Sequence, residues 1–132
     1  MDKKNLTEKI HNAMYQNIKT KGWASPVDVL MDIGVLSKEN YESWRFGRIP
    51  FLEKVCQANL RQLSEIMREI RAYANKNGLK PSWTYYHQWR KNNKVKLRFS
   101  KSGDDKVERH YSTHFVDAVR IAQLKQSDDN EG

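Results

Sequence analysis

Apolar residues recur at helical spacing through the first 79 positions of the chain. Before Gly22 they lie three or four positions apart, which predicts a first amphipathic helix that ends at this glycine. The apolar positions of that helix are Leu6, Ile10, Ala13, Met14 and Ile18. Ser25 followed by Pro26 supplies the N-cap and first turn of a short second helix. Ser37 can cap a third short helix that carries Trp44.

The longest helical pattern runs from Pro50 to Gly78. Its apolar face includes Leu52, Val55, Cys56, Leu60, Leu63, Ile66, Met67 and Ile70. At about 1.5 Å per residue, one continuous helix over this range would be roughly 40 Å long and would form the centre of the fold.

The pattern changes from helical spacing to alternation after Pro81. Basic and apolar residues alternate from Lys94 to Phe99, which is typical of a strand with one buried face. Residues 83–90 also have strand character, although the same residues could form a short helix capped by Ser82.

A third strand is predicted over residues 107–111, after a turn rich in Gly and Asp, and a short helix over residues 113–125. The predicted fold class is α+β. A helical N-terminal half with one long central helix is followed by a three-stranded antiparallel β-meander and a short C-terminal helix.

The length of 132 residues is that of one domain that buries its own core. We expect residues 1–126 to form this domain, with a helical lobe over 1–79 and a basic lobe over 80–126. The acidic residues 127–132 are expected to be disordered.

The net charge of +8 is concentrated in the C-terminal part of the chain, where residues 80–126 hold 11 basic and 4 acidic side chains. A single cysteine, Cys56, excludes an intrachain disulfide and indicates a core thiol in a reducing compartment. No run of 18 apolar residues is present, so a cytoplasmic protein without a membrane partner is expected.

The segment Lys80 to Lys101 combines seven basic residues and five aromatic rings with no acidic residue. Basic side chains neutralise phosphates and aromatic faces stack on bases, so this composition favours DNA or RNA as the partner. The predicted nucleic-acid-binding residues are Arg90, Lys91, Lys94, Lys96, Arg98 and Lys101 for phosphates and Trp83, Tyr85 and Trp89 for bases.

Three other interpretations of this segment stay open. Its rings could belong to the core beside an ordinary solvated strand face. An interaction or inhibitor module that binds an acidic protein would have the same composition. A metal-independent ribonuclease of the toxin type would need a base, an acid and cations, for which the candidates are His87, Lys96, Arg98, Lys101, Arg109, His110, Tyr111 and His114.

Residues 26–46 resemble a helix-turn-helix, with Trp44 as a core aromatic and a Gly-Arg exit similar to that of repressor-like modules. Glu39 and Glu42 oppose DNA binding by that face, and a helical hairpin packed on the long helix is the alternative. Arg45 and Arg48 precede the expected helix start at Pro50, which indicates a possible anion site.

Neither a metal site nor a cofactor is expected. His110 and His114 have the spacing of a chelating pair, but four residues of strand would separate them by about 13 Å. No nucleotide-binding or nucleophile motif occurs, and we predict no catalytic residue.

The block Gly22 to Val116 resembles small uncharacterised bacterial proteins. The resemblance rests on the phrases PVDVLM, YESWRFGR, LKPSWTYY, LRFSKSG and YSTHFV. It implies a self-contained bacterial domain and no particular site.

Overall fold

The computed structural model describes residues 3–90 and 94–131. Within these residues the chain forms six α-helices, one 3-10 helix and three short strands. In chain order they are α1 (Lys3–Lys21), β1 (Trp23–Ala24), α2 (Pro26–Asp32), α3 (Lys38–Arg45), the 3-10 helix Leu52–Val55, α4 (Leu60–Lys76), β2 (Lys80–Trp83), α5 (Asp105–Ser112), β3 (Thr113–Val116) and α6 (Ala118–Glu131). The prediction of a mixed α and β fold is confirmed.

The first three helices form where the sequence places them. Ser25 caps α2 by accepting a hydrogen bond from the Asp28 amide at 3.1 Å, and Ser37 caps α3 through the Asn40 amide at the same distance. Gly34 between them has φ +83°, a left-handed conformation that lets the chain turn sharply after α2. The two short helices therefore follow from local capping signals.

The predicted continuous helix from Pro50 is wrong. The chain forms only the 3-10 helix after Pro50, and α4 begins at Leu60. Asn59 and Gln62 explain this start, because the side chain of each accepts a hydrogen bond from the backbone amide of the other in a capping box. The helix has 17 residues and is therefore about 26 Å long.

The sheet is antiparallel and three-stranded, but it is not the predicted meander. Its strand order is β1-β3-β2, so the central strand β3 comes last in the chain. Ala24 pairs with Phe115 on one side of β3, and Pro81 pairs with Phe115 on the other. The alternating residues 94–100 contribute only an isolated bridge between His87 and Lys96.

The C-terminal elements also differ from the prediction. Residues 107–111 lie in α5 rather than in a strand, because the Asp104 side chain accepts hydrogen bonds from the amides of Lys106 and Val107 and starts a helix. Residues 113–116, predicted as helix, form β3. The last helix, α6, continues to Glu131, so the segment predicted as a disordered tail is helical up to that residue.

One hydrophobic cluster draws on both halves of the chain. Trp44 and Tyr111 are its largest fully buried side chains. Cys56 packs against it, and burial raises the pKa of this thiol to about 12. In the described part of the chain, no helix is long and apolar enough to cross a lipid bilayer.

Candidate nucleic-acid interface

The pairing of β2 with β3 fixes the position of Trp83. Trp83 is the last residue of β2 and lies opposite Thr113 in the sheet. Its indole Nε1 donates a hydrogen bond to Ser112 Oγ at 2.9 Å, which anchors the ring at the junction of α5 and β3. The chain then leaves the sheet, so the next residues are free to form the wall of a cleft.

Residues 97–100 are held from two sides. The carbonyl oxygen of Arg98 accepts hydrogen bonds from the Trp44 indole at 2.8 Å and from the Leu52 amide at 3.1 Å. On the other side, the Glu108 carboxylate accepts hydrogen bonds from the amides of Phe99 at 2.9 Å and Ser100 at 2.7 Å. This segment is therefore rigidly placed even though it belongs to no strand.

In this segment, the predicted alternation of buried apolar and exposed basic side chains is confirmed over residues 96–99. Leu97 and Phe99 are buried, while Lys96 and Arg98 are exposed. Val95, predicted to lie on the buried side, is 51% exposed. The apolar side chains thus fix the segment on the core and direct the two basic side chains outward.

Between this segment, Trp83 and α5 lies a cavity of about 430 Å³, which we call the aromatic cleft. Its lining includes Trp83, Tyr85, Lys96, Arg98, Glu108 and Arg109. The rings of Trp83 and Tyr85 are 4.6 Å apart between centroids, and 47% and 46% of these residues stay exposed. Both rings therefore keep surface that a ligand can contact.

Two cations lie on the rings of the aromatic cleft. The ammonium of Lys96 is 4.1 Å from the centroid of the Tyr85 ring, and the guanidinium carbon of Arg109 is 5.0 Å from that of Trp83. Neither cation forms an ion pair with a carboxylate among residues 3–90 and 94–131. Their positive charge is therefore stabilised by the ring faces and stays available to an anion.

Arg98 and Glu108, which also line the aromatic cleft, are engaged in hydrogen bonds with the backbone. Arg98 donates hydrogen bonds to the carbonyl oxygens of Ser100, at 2.8 Å, and Lys101. Glu108 is occupied by the backbone amides that it holds, and Asp105 is the other carboxylate of the lining. Lys96 and Arg109 are consequently the cations best placed to contact a phosphate.

Trp89 and Arg90 lie elsewhere, against the end of α3. The Trp89 ring packs edge-on against Tyr41 and Phe46, with centroids 5.6 Å apart in each pair. Arg90 donates from Nε to the Phe46 carbonyl at 3.1 Å. The predicted nucleic-acid-binding residues are thus divided between at least two surfaces.

Lys94 and Lys101 are exposed but do not line the aromatic cleft. The Lys101 backbone amide donates to Glu53 Oε1 at 2.9 Å, which fixes its backbone while its side chain stays exposed. Lys91 lies outside the described residues. All three lysines stay predicted phosphate contacts, and neither Lys94 nor Lys101 lines the cleft.

The structural basis of the predicted anion site at Arg45 and Arg48 is wrong, because no α-helix begins at Pro50. The Arg45 guanidinium instead lies between two rings, 5.0 Å from the centroid of Tyr86 and 4.8 Å from that of Trp89. Arg48 lies over the Phe46 ring at 5.2 Å. Both arginines lie against aromatic side chains, and an anion site at these residues stays a prediction.

The helix-turn-helix candidate consists of α2 and α3 with the turn at Gly34. Trp44 is fully buried, which confirms its prediction as a core aromatic. Ser37, Lys38 and Glu39 are exposed at the start of α3. DNA recognition by this helix stays a prediction, with Glu39 on the surface that would face the phosphates.

The histidines of the ribonuclease candidate are distributed over separate sites. His114 lies in β3, where Nε2 is 3.0 Å from the Tyr86 hydroxyl and the ring stacks on Trp23. His110 lies in α5, and His87 is exposed 6.3 Å from the Tyr85 ring. No group of three or more His, Cys, Asp or Glu side chains in the described residues is arranged to hold a metal ion.

Arg109 is the cation of the aromatic cleft that the predicted nucleic-acid-binding residues do not include. Because the sequence analysis predicts a strand over residues 107–111, it does not predict that Arg109 lies on the Trp83 ring. The sequence does contain a signal for the helix. Asp104 is a typical N-cap residue, and Asp105 and Glu108 follow it as the acidic residues that favour a first helical turn.

Comparison of the chain with family models, curated proteins and solved structures finds no match. The resemblance to small bacterial proteins therefore stays a prediction.

Proposed function

We propose that the protein binds single-stranded nucleic acid in the aromatic cleft. Bases stack on Trp83 and Tyr85, while Lys96 and Arg109 contact the adjoining phosphates. The observation that carries this proposal is the pairing of each half-exposed ring with a cation that has no carboxylate partner among the described residues.

A nucleotide presents a flat base and an anionic phosphate that are joined through a sugar. A ring beside an available cation matches both parts, and stacking contributes about 1 to 3 kcal/mol per base. Phosphate contacts add a salt-dependent term that does not depend on sequence. The net charge of +8 further favours encounter with a polyanion.

Unpaired bases suit this cleft better than duplex. In a duplex the base faces are stacked on one another, so Trp83 and Tyr85 could not reach them. We therefore expect preference for single strands, with DNA and RNA both as candidates.

The proposal is tested by fluorescence anisotropy of labelled oligonucleotides, as single-stranded DNA, single-stranded RNA and duplex, at two salt concentrations. We expect salt-sensitive binding of single strands by the wild type. The double variant Lys96→Ala, Arg109→Ala should bind more weakly and show a salt slope lower by about 1.4, since each single-strand phosphate contact contributes about 0.7.

Lys19→Ala with Lys76→Ala is the matched control, because it removes the same charge at exposed positions of α1 and α4. Equal losses in the two double variants would mean that only the overall charge matters and would contradict the proposal. Tighter binding of duplex would favour the α2–α3 helices instead, and no binding to any nucleic acid would favour an acidic protein partner.

A further inference from the structure

A second positively charged cavity lies between α4 and α5. It has a volume of about 190 Å³, several times the roughly 30 Å³ of one water in the liquid. Its polar lining is Glu53, Ser64, Arg68, Arg71, His110 and Tyr111. We call it the α4–α5 cavity.

The α4–α5 cavity and the aromatic cleft use opposite faces of α5. At 100° per residue, Glu108, Arg109 and Ser112 lie on one face of this helix. Val107, His110 and Tyr111 lie on the other, and they line the α4–α5 cavity. The two sites are therefore separated by the body of the helix.

Arg71 is the least compensated cation of this cavity. Its Nη1 atom is buried and has no hydrogen-bond partner within residues 3–90 and 94–131. Burial, and next the neighbouring Arg68, lower the pKa of Arg71. A buried guanidinium N–H without an acceptor is unfavourable, so the site favours a ligand that supplies one.

The carboxylates near Arg71 are already engaged. Glu53, which lines the cavity, accepts hydrogen bonds from the Tyr111 hydroxyl at 2.8 Å and from the Lys101 amide at 2.9 Å. On α4, Glu65 pairs with Arg61 and Glu69 with His11. Among the described residues, neither Arg68 nor Arg71 forms an ion pair.

We propose that the α4–α5 cavity binds a phosphate group, with Arg68 and Arg71 as the main ligands and His110 as a further donor. A planar guanidinium donates two parallel hydrogen bonds to a tetrahedral oxyanion, and two arginines one helical turn apart can share one phosphate. This inference does not rest on the function proposed for the aromatic cleft. The phosphate is either free or part of a polynucleotide backbone.

The first arm of the test is calorimetric titration with inorganic phosphate, in a chloride buffer of constant ionic strength. We expect saturable binding by the wild type and a loss of roughly tenfold or more in affinity for Arg71→Gln and for Arg68→Gln, as for one charge-assisted hydrogen bond. Arg61→Gln is the matched control, since its side chain is 90% exposed on the same helix and lies outside the cavity.

The second arm measures single-stranded oligonucleotide binding by the same variants. Binding of inorganic phosphate that depends on Arg71 supports a free phosphate ligand. Oligonucleotide binding that depends on Arg71 and Arg68, without binding of inorganic phosphate, supports a backbone phosphate. If Arg68→Gln, at an exposed position where folding should be unaffected, and Arg71→Gln change neither affinity relative to Arg61→Gln, the inference is overturned.

Discussion

The sites on the two sides of α5 hold positive charge in different surroundings. On one face, Arg109 and the nearby Lys96 lie on the rings of Trp83 and Tyr85. On the other side, Arg71 of α4 is partly buried beside Arg68, and its Nη1 atom has no acceptor among the described residues. The cations of the aromatic cleft are thus stabilised by ring faces, whereas the guanidinium of Arg71 in the α4–α5 cavity keeps an unpartnered Nη1 atom among the described residues.

This difference is the basis of the two binding proposals. A cation on a ring is stable in the empty site and presents charge and a flat apolar surface together, which suits a nucleotide. The α4–α5 cavity instead offers two neighbouring arginines as hydrogen-bond donors, which suits a phosphate group.

Glu108→Ala should cause the largest change, because it removes the carboxylate that holds one wall of the aromatic cleft. The amides of Phe99 and Ser100 would lose their acceptor, and each unsatisfied buried donor costs about 1 to 3 kcal/mol. We expect the free energy of unfolding, measured in urea, to fall by about 2 to 4 kcal/mol. Asp105→Ala, in the same lining, should change it by less than about 1 kcal/mol, and equal losses would contradict the role of Glu108.

Trp83→Ala should weaken oligonucleotide binding by about 1 to 3 kcal/mol, which is roughly a 5- to 150-fold loss of affinity. Removing the ring also removes the surface on which Arg109 lies. Tyr15→Ala is the control, since Tyr15 is 55% exposed on α1 and lies outside the cleft. A similar loss in both variants would show that no particular ring is used.

Arg71→Gln and Arg109→Gln should have different effects on stability in phosphate-free buffer. Arg109→Gln removes a cation from a ring and should lower the free energy of unfolding by about 0.5 to 1 kcal/mol. Arg71→Gln removes an uncompensated charge beside Arg68, so stability should stay the same or rise. Greater destabilisation by Arg71→Gln than by Arg109→Gln, measured by urea unfolding, would show that Arg71 has a stabilising partner.

His110 should report the charge of the α4–α5 cavity. Burial, and then Arg71 and Lys106, lower its pKa below the ordinary 6.5, against a smaller opposing effect of Asp104. The unfolded chain therefore binds a proton more readily, so stability falls as the pH decreases from 6.5 toward the folded pKa. NMR titration should show a higher pKa of His110 in Arg71→Gln than in the wild type. An unchanged pKa would show that the charge of Arg71 does not act on His110.

Local signals predicted the N-terminal helices and part of the aromatic cleft. Ser25 and Ser37 are caps whose partners lie three residues away, so their effect is visible in sequence. The basic and aromatic composition of the segment Lys80 to Lys101 pointed to Trp83, Tyr85 and Lys96, which the structure places in one cleft.

Non-local contacts decided what the sequence could not predict. The strand β1 has two residues, too few for any alternation, and it exists because β3 lies beside it. Extended residues 97–100 are held by Trp44 and Glu108 rather than by strand partners. The α4–α5 cavity depends on α5 being a helix, so the relation of Arg71 to His110 was hidden once that segment was assigned as strand.

Tryptophan fluorescence with a normal and an abasic oligonucleotide of equal length tests the central claim most directly. If bases stack on Trp83, the normal strand should quench the fluorescence of the wild type and the abasic strand should not, although both carry the same phosphates. The quenching should largely disappear in Trp83→Phe, whose smaller ring can still stack but does not contribute indole emission. Equal quenching by both strands, or quenching that persists in Trp83→Phe, would contradict base recognition by the aromatic cleft.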